Sequence, residues 1–353
     1  MDIKPAVDTD LFEEVELLKK KVSSGLLPDD LKDKAFRMIK RLQRMAKFGG
    51  YSSEYEKVNH YINWILKLPW FEETEDVLDL DRALEIMNQN HYGMNDVKER
   101  ILEYLSVLKL RKDKGGVSDA PILCLVGLVG TGKTTFGFSL AEAMGRKFIR
   151  IPFGGLGSLL DLRGQSRAHP DSQPGQIIKA LRRCGSKNPV FMLDEIDRVD
   201  ENARANIMGV LVELLDPEQN QFFTDYYLDY PFDLSKVLFL ATCNNTGNIA
   251  TAVLDRMEVI QMPSYTDEEK TVIAKEYILP KALKEAGLEE GTLAIDDDLW
   301  PLIVRPLGFD AGMRSLERNI QRISRKVAKM FVLGKEKHFH LRKDNIKEFL
   351  PSY

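Results

Sequence analysis

The stretch Gly127-Leu128-Val129-Gly130-Thr131-Gly132-Lys133-Thr134 constrains this chain more than any other part of it. It fits the pattern G-x-x-x-x-G-K-[ST], with an apolar run before it and a helical pattern after it. Glycines there let backbone N–H groups curl around a phosphate, and the helix N-terminus adds partial positive charge. Lys133 is expected to reach the β- and γ-phosphates of ATP, and Thr134 to offer its hydroxyl to Mg²⁺. Gly127, Gly130, Thr131, Gly132 and Thr135 complete the expected nucleotide-binding loop.

A strand that feeds such a loop calls for partners. Short apolar runs recur at Ile122–Val126, Lys147–Ile151, Val190–Leu193, Val237–Thr242 and Glu258–Met262. Most are followed by a loop and a helical pattern, which predicts about five parallel strands covered on both faces. Residues ahead of this region read as helices only. Leu11, Val15, Leu18 and Val22 recur at helical spacing before Gly25. Leu31, Ala35, Met38, Leu42 and Met45 follow Pro28 and end at Gly49-Gly50. A third helix begins at Ser52-Ser53-Glu54, carries Val58, Ile62 and Ile65, and stops by Pro69. After Pro263 the chain turns helical again from Thr266, with a short strand expected around Lys337–Arg342. The expected division is a helical segment over 1–75, an α/β nucleotide-binding domain over 76–263 and a helical lid over 264–353.

A second motif lies about sixty residues beyond the first, where Val190-Phe191-Met192-Leu193 runs into Asp194-Glu195. Ligands of open parallel sheets bind at the carboxyl ends of the strands. Asp194 suits the Mg²⁺ shell and Glu195 can polarise an attacking water. The next apolar run ends at Cys243-Asn244-Asn245, where an amide could orient the same water or simply form a turn.

Composition narrows the partners. A formal net charge of -4 gives no global positive field for nucleic acid. The lysine-rich stretches at 17–21 and 35–47 alternate with apolar residues and read as solvated helix faces. Cys124, Cys184 and Cys243 form no C-x-x-C, which argues for a reducing compartment. No apolar run approaches the roughly 18 residues of a membrane span. The acidic start lacks a signal core or transit pattern, so a cytoplasmic location is expected.

The runs PVFMLDEID, LLDPEQN, YPFDLSKVLFLATCN and VLDRMEVI together resemble the ATPase (AAA+) module of Lon-type ATP-dependent proteases. HYGMNDVKERILEYLSVLKL ahead of the loop, AGMRSLERNI behind the sheet and the lead-in ending YINWILKLPW are similar to the same family. The likeness runs from about Leu11 to Leu350. It implies an α/β P-loop AAA+ core, an all-α lead-in and a helical lid. It also implies a homo-oligomeric ring, by likeness a hexamer, that uses ATP and Mg²⁺ to unfold damaged proteins for a Lon peptidase domain. On the same ground Asn244 is expected as sensor 1, Arg256 as an arginine finger toward a neighbouring subunit, and Arg314 as sensor 2. His91 and Tyr92 fall where the family contacts adenine.

Three departures from the family stand out. Leu128 and Val129 occupy places where a Pro-Pro pair is usual, with the glycines and Lys133 kept. His169-Pro170-Asp171 replaces the aromatic–aliphatic–glycine triplet of the family's substrate-gripping pore loop, which puts threading in doubt. No peptidase pattern with its Ser–Lys dyad occurs up to Pro351-Ser352-Tyr353, as expected of an incomplete chain or a stand-alone ATPase. Two other functions stay open. One is a degenerate Lon-like ATPase that remodels or scaffolds a partner without threading it. The other is a DNA-associated AAA+ ATPase.

Overall fold

The computed structural model describes residues 9–46, 53–113, 122–289, 291–305, 313–334 and 338–350. The expected stops at Gly49-Gly50, the lead-in residue Ser52, Gly312 and residues 351–353 lie outside the described residues.

Three helices open the described chain: α1 (Thr9–Ser24), α2 (Asp29–Ala46) and α3 (Ser53–Ile65). Val15, Leu18, Val22, Leu31, Ala35, Ile39, Leu42, Val58, Ile62 and Ile65 are all buried, which follows from their 3.6-residue spacing. These helices have no core to themselves. Their apolar stripes join one continuous cluster with Ile151, Phe191, Leu193, Ala241 and Val253 from the sheet region. Tyr61 fixes this junction, donating its hydroxyl to Leu228 O at 3.1 Å.

Helices α4 (Leu80–Asn90) and α5 (Asn95–Asp113) lead into β1 (Ile122–Val126) and α6 (Lys133–Ala143). The remaining strands are β2 (Phe148–Pro152), β3 (Val190–Asp194), β4 (Phe223–Asp225), β5 (Tyr230–Phe232), β6 (Leu238–Cys243), β7 (Met257–Gln261), β8 (Leu293–Ile295) and β9 (Phe339–Leu341). Five form a parallel sheet in the order β2-β3-β6-β1-β7, so the expected strands fall within a residue of where the apolar runs put them. β3 and β6 are buried at every position, as continuous apolar strands inside a parallel sheet must be. The edge strands β2 and β7 expose alternate residues. One sheet face shares the cluster with the N-terminal helices; the other packs on α4, α5 and α6 through Met87, Ile101, Phe136 and Leu140.

Helices of the lid segment bury a third cluster around Trp300, Leu316, Ile320 and Ile323. β9 fulfils the expected short strand and pairs in parallel with β8, which the sequence reading did not foresee. Also unforeseen are the β4–β5 hairpin and a π-helical turn over Ala274–Ile278. The turn has a local cause. Pro280 has no N–H to continue the α-ladder, and Leu279 N instead donates back five residues to Ala274 O.

Candidate functional site

Parallel pairing brings the carboxyl ends of β1, β3 and β6 side by side, so their following loops share one edge. Gly127 N donates to Cys243 O at 3.2 Å and continues the β1–β6 ladder by one residue. A side chain there would meet the Met262 carbonyl oxygen at 2.7 Å, so only glycine fits. Gly130 and Gly132 have φ of 86° and 91°, the left-handed region that favours glycine. The turn ends at Gly132, directly ahead of α6.

Lys133 is the first residue of α6 and is folded back under the loop. Its Nζ donates to Gly127 O at 2.6 Å, Leu128 O at 3.0 Å and Asn244 Oδ1 at 3.3 Å. Burial pushes the Lys133 ammonium below its usual value, and the carboxylates led by Asp194 work against that. Leu128, in place of the family's proline, supplies a carbonyl that also accepts from Thr131 Oγ1 at 3.0 Å. Thr131 is buried and braces the loop from within.

Asp194 and Glu195 leave β3 in opposite environments. Asp194 is buried; its Oδ1 accepts from the Thr242 hydroxyl at 2.5 Å and its Oδ2 from Arg150 Nε at 2.6 Å. Glu195 has φ 57° and ψ 48°, an uncommon conformation for a residue with a Cβ. Its N–H donates to Thr242 Oγ1 at 3.1 Å, and its carboxylate lies 3.3 Å from Arg198. Asp197 Oδ2 accepts from the backbone N–H groups of Asn244 and Asn245 at 3.1 and 3.4 Å, which ties the β6 loop to the β3 loop.

On the α4 side, His91 stacks on Phe136 with ring centroids 3.5 Å apart and an interplanar angle of 15°. Burial, reinforced by the nearby Lys98 ammonium, pushes its pKa down to about 4, so the imidazole is neutral at pH 7. Lys98 Nζ donates to His91 O and Asn88 Oδ1, each at 2.8 Å.

These groups line one cleft of about 530 Å³ between the sheet edge and the lid. His91, Tyr92, Gly130, Gly132, Lys133, Thr134, Thr135, Asp194, Glu195, Asn244 and Arg314 all face it. Ile273, Tyr277 and Ile278, on or beside the π-helical turn, form the lid wall, and Met313 N donates to Gly130 O at 3.2 Å. Arg256 is not in this cleft. It is anchored outside by Ala252 O at 2.8 Å and Asp216 Oδ2 at 3.2 Å. His169, Pro170 and Asp171 are also elsewhere, exposed on the loop after Gly164.

Sequence reasoning missed Arg150, Asp197 and Thr242. Each left a weak trace: a cation inside the apolar strand β2, a third acid after Asp194-Glu195, and a hydroxyl ending the run VLFLAT.

A left-handed glycine loop and a buried lysine after β1, with two carboxylates at the tip of β3 along the same sheet edge, closed by a helical lid, define a P-loop ATPase of the AAA+ class. Residues 123–265 match the ATPase family associated with various cellular activities (AAA), and residues 284–339 match the Lon protease AAA+ ATPase lid domain. The chain is an AAA+ ATPase module of the Lon type, with the helical segment that precedes it. It is 44% identical to the Lon protease of Syntrophomonas wolfei over 96% of this chain and 41% of that protein. It is 47% identical to that of Dictyoglomus thermophilum, over 91% and 40% respectively. Lon protease 1 of Bacillus subtilis is 42% identical over 96% of this chain and 43% of its own length. The chain thus spans about two fifths of the curated relatives it matches. Among the described residues, no helix is long and apolar enough to cross a membrane.

Proposed function

We propose that this module binds ATP with Mg²⁺ in the cleft and hydrolyses it to drive unfolding of protein substrates for a Lon-type peptidase domain. The observation that carries the reading is the convergence of Lys133, Thr134, Asp194, Glu195 and Asn244 on one cleft at the sheet edge.

The residues fit a nucleotide. Among the described residues, Lys133 contacts only neutral oxygens in its own loop and Asn244, and so remains a cation without an anion in contact. The buried Asn244 Nδ2 has no partner among the described residues, which leaves a donor at the β6 tip. In this reading the backbone of 130–134 and Lys133 hold the phosphates, while Thr134 and Asp194 hold Mg²⁺. When bound, Mg²⁺ neutralises phosphate charge. Glu195 takes the proton of the attacking water, Asn244 orients that water, and Arg314 follows the nucleotide from the lid. His91 and Tyr92 border the base. Arg256, directed away from its own cleft, completes the site of the next subunit in a homo-oligomeric ring, by family likeness a hexamer. A cytoplasmic location belongs to the same reading.

A second reading, partner remodelling without threading, is favoured by the exposed His169-Pro170-Asp171 tip, which carries no Phe, Tyr or Trp and no glycine. The test of the ATPase core separates binding from chemistry. Lys133→Ala should abolish nucleotide binding, because the side-chain cation at the phosphates is lost. Glu195→Gln should keep binding and stop turnover. Near wild-type affinity in the first variant, or normal hydrolysis in the second, overturns the assignment.

A further inference from the structure

Asp194 is expected to serve a metal, yet in this structure both of its oxygens are taken. Oδ1 accepts from Thr242 at 2.5 Å, and Oδ2 faces Arg150, with Nε at 2.6 Å and the terminal nitrogen at 2.5 Å. We propose that Arg150 is a resident counter-cation that occupies Asp194 until Mg²⁺ arrives with nucleotide, and so makes metal binding depend on nucleotide. The proposal rests on the Mg²⁺–ATP reading above.

Three observations carry it. Lys133, a cation that lines the same cleft as Asp194, donates to Gly127 O, Leu128 O and Asn244 Oδ1 instead of to Asp194. The buried carboxylate therefore draws its contacting positive charge from β2. An uncompensated buried carboxylate is costly, so a cation is needed there whenever the metal is absent. Second, the pair is asymmetric: the Asp194 side chain is 6% exposed and the Arg150 side chain 49%. The guanidinium can rehydrate cheaply, so it is the partner that moves. Third, Arg150 does not line the cleft, whereas Asp194 does. The guanidinium approaches from the β2 side and can leave without crossing the space meant for nucleotide.

The consequence is competition for one oxygen. A divalent ion without phosphate finds the Thr134 hydroxyl and a carboxylate already chelated by a two-nitrogen fork. Phosphate oxygens add ligands that a small hard cation prefers, and tip the balance.

Arg150→Ala and Arg150→Lys separate this role from simple structural pairing. Mn²⁺ binding to the nucleotide-free protein is read by its electron-spin signal, and the Mg²⁺ midpoint for binding a fluorescent ATP analogue by titration. Arg150→Ala should bind Mn²⁺ more tightly without nucleotide and lower the Mg²⁺ midpoint by about 3–10-fold, less than a fully buried charge-assisted contact would give because the guanidinium is half exposed. Arg150→Lys should fall between, since an ammonium cannot reproduce the fork. A melting curve establishes that each variant folds, and Arg150→Lys alone decides if the alanine variant does not. An unchanged midpoint, or weaker metal binding, overturns the proposal while leaving the ATPase reading intact. Nucleotide binding by the unaltered protein that ignores Mg²⁺ would overturn both.

Discussion

The Thr242 hydroxyl lies 2.5 Å from Asp194 Oδ1 and also receives the backbone N–H of Glu195 at 3.1 Å, so one side chain on β6 holds both acidic residues at the tip of β3. Thr242→Val keeps the shape and removes the oxygen. It leaves a buried carboxylate oxygen and a backbone donor unpaired, worth roughly 1–3 kcal/mol. Glu195 also loses a restraint on a backbone conformation that is itself unfavourable. Turnover should fall by ~10–100-fold, the cost of displacing a catalytic group by about an ångström. Thr242→Ser should retain most activity. Steady-state ATP hydrolysis alongside nucleotide affinity checks this, and equal losses in the two variants would refute it.

His91 and Asp225 should tilt the pH dependence of stability in opposite directions. Burial lowers the His91 pKa from 6.5 to about 4. Its stabilising contribution is present above 6.5 and is lost as pH falls toward 4. Burial raises Asp225 from 3.8 to about 6, against hydrogen bonds from the backbone of Gly175, Leu228 and Tyr227. Its contribution is full below about 3.8 and is lost as pH rises through 6. His91→Phe should therefore gain on the unaltered protein by roughly 1–2 kcal/mol between pH 7 and pH 5. Asp225→Asn should lose by roughly 1 kcal/mol over the same interval. Urea unfolding at both pH values checks the two signs, and parallel shifts in both variants would contradict this account.

The local parts of the site were legible because they follow local rules. A strand, a glycine turn and a helix start are written within the residues 122–143, and β3 announces its tip by four apolar residues before two acids. Thr242, Arg150 and Asp197 were not legible, because their meaning arises between strands that the chain visits far apart. Arg150 and Asp194 meet only because β2 pairs with β3, and Thr242 meets both acids only because β6 lies on the other side. The β4–β5 hairpin was missed for another reason. Its strands are three residues each, too short to display a period of two.

Arg256 should matter to a neighbour rather than to its own cleft. Asp216 is held below the usual carboxylate range: partial desolvation is outweighed by hydrogen bonds from Arg256, Gln219 and Glu218. That pairing places the guanidinium outside the cleft of its own chain. Arg256→Ala should reduce hydrolysis more than nucleotide binding, by less than the ~10³–10⁵-fold of a fully engaged arginine finger. Mixing Arg256→Ala with Lys133→Ala subunits should restore activity, since some interfaces then pair an intact loop with an intact finger. Co-assembly without rescue at any ratio would place Arg256 in another role.

The loop carrying His169-Pro170-Asp171 is anchored at its base and exposed at its tip. Arg167 lies over the Tyr61 ring at 3.9 Å, and Gly175 N donates to the fully buried Asp225 at 2.7 Å. At the tip, Asp171 has φ 58°, so the backbone keeps a left-handed turn where the related triplet has glycine. Asp171→Gly should therefore fit without strain and cost no stability. Replacing the triplet with Tyr-Ile-Gly adds an aromatic grip and removes the proline's fixed φ near −65°. Casein should then stimulate ATP hydrolysis more than it does in the unaltered chain, with basal turnover little changed. The competing source of grip is the hairpin nearby, where Phe222 and Tyr226 are 65% and 42% exposed while Phe223 and Tyr227 are buried. Two of those four aromatics are thus free to touch a substrate. Strong casein stimulation of the unaltered protein, abolished by Phe222→Ala with Tyr226→Ala, would assign the grip to the hairpin and refute the prediction for the loop.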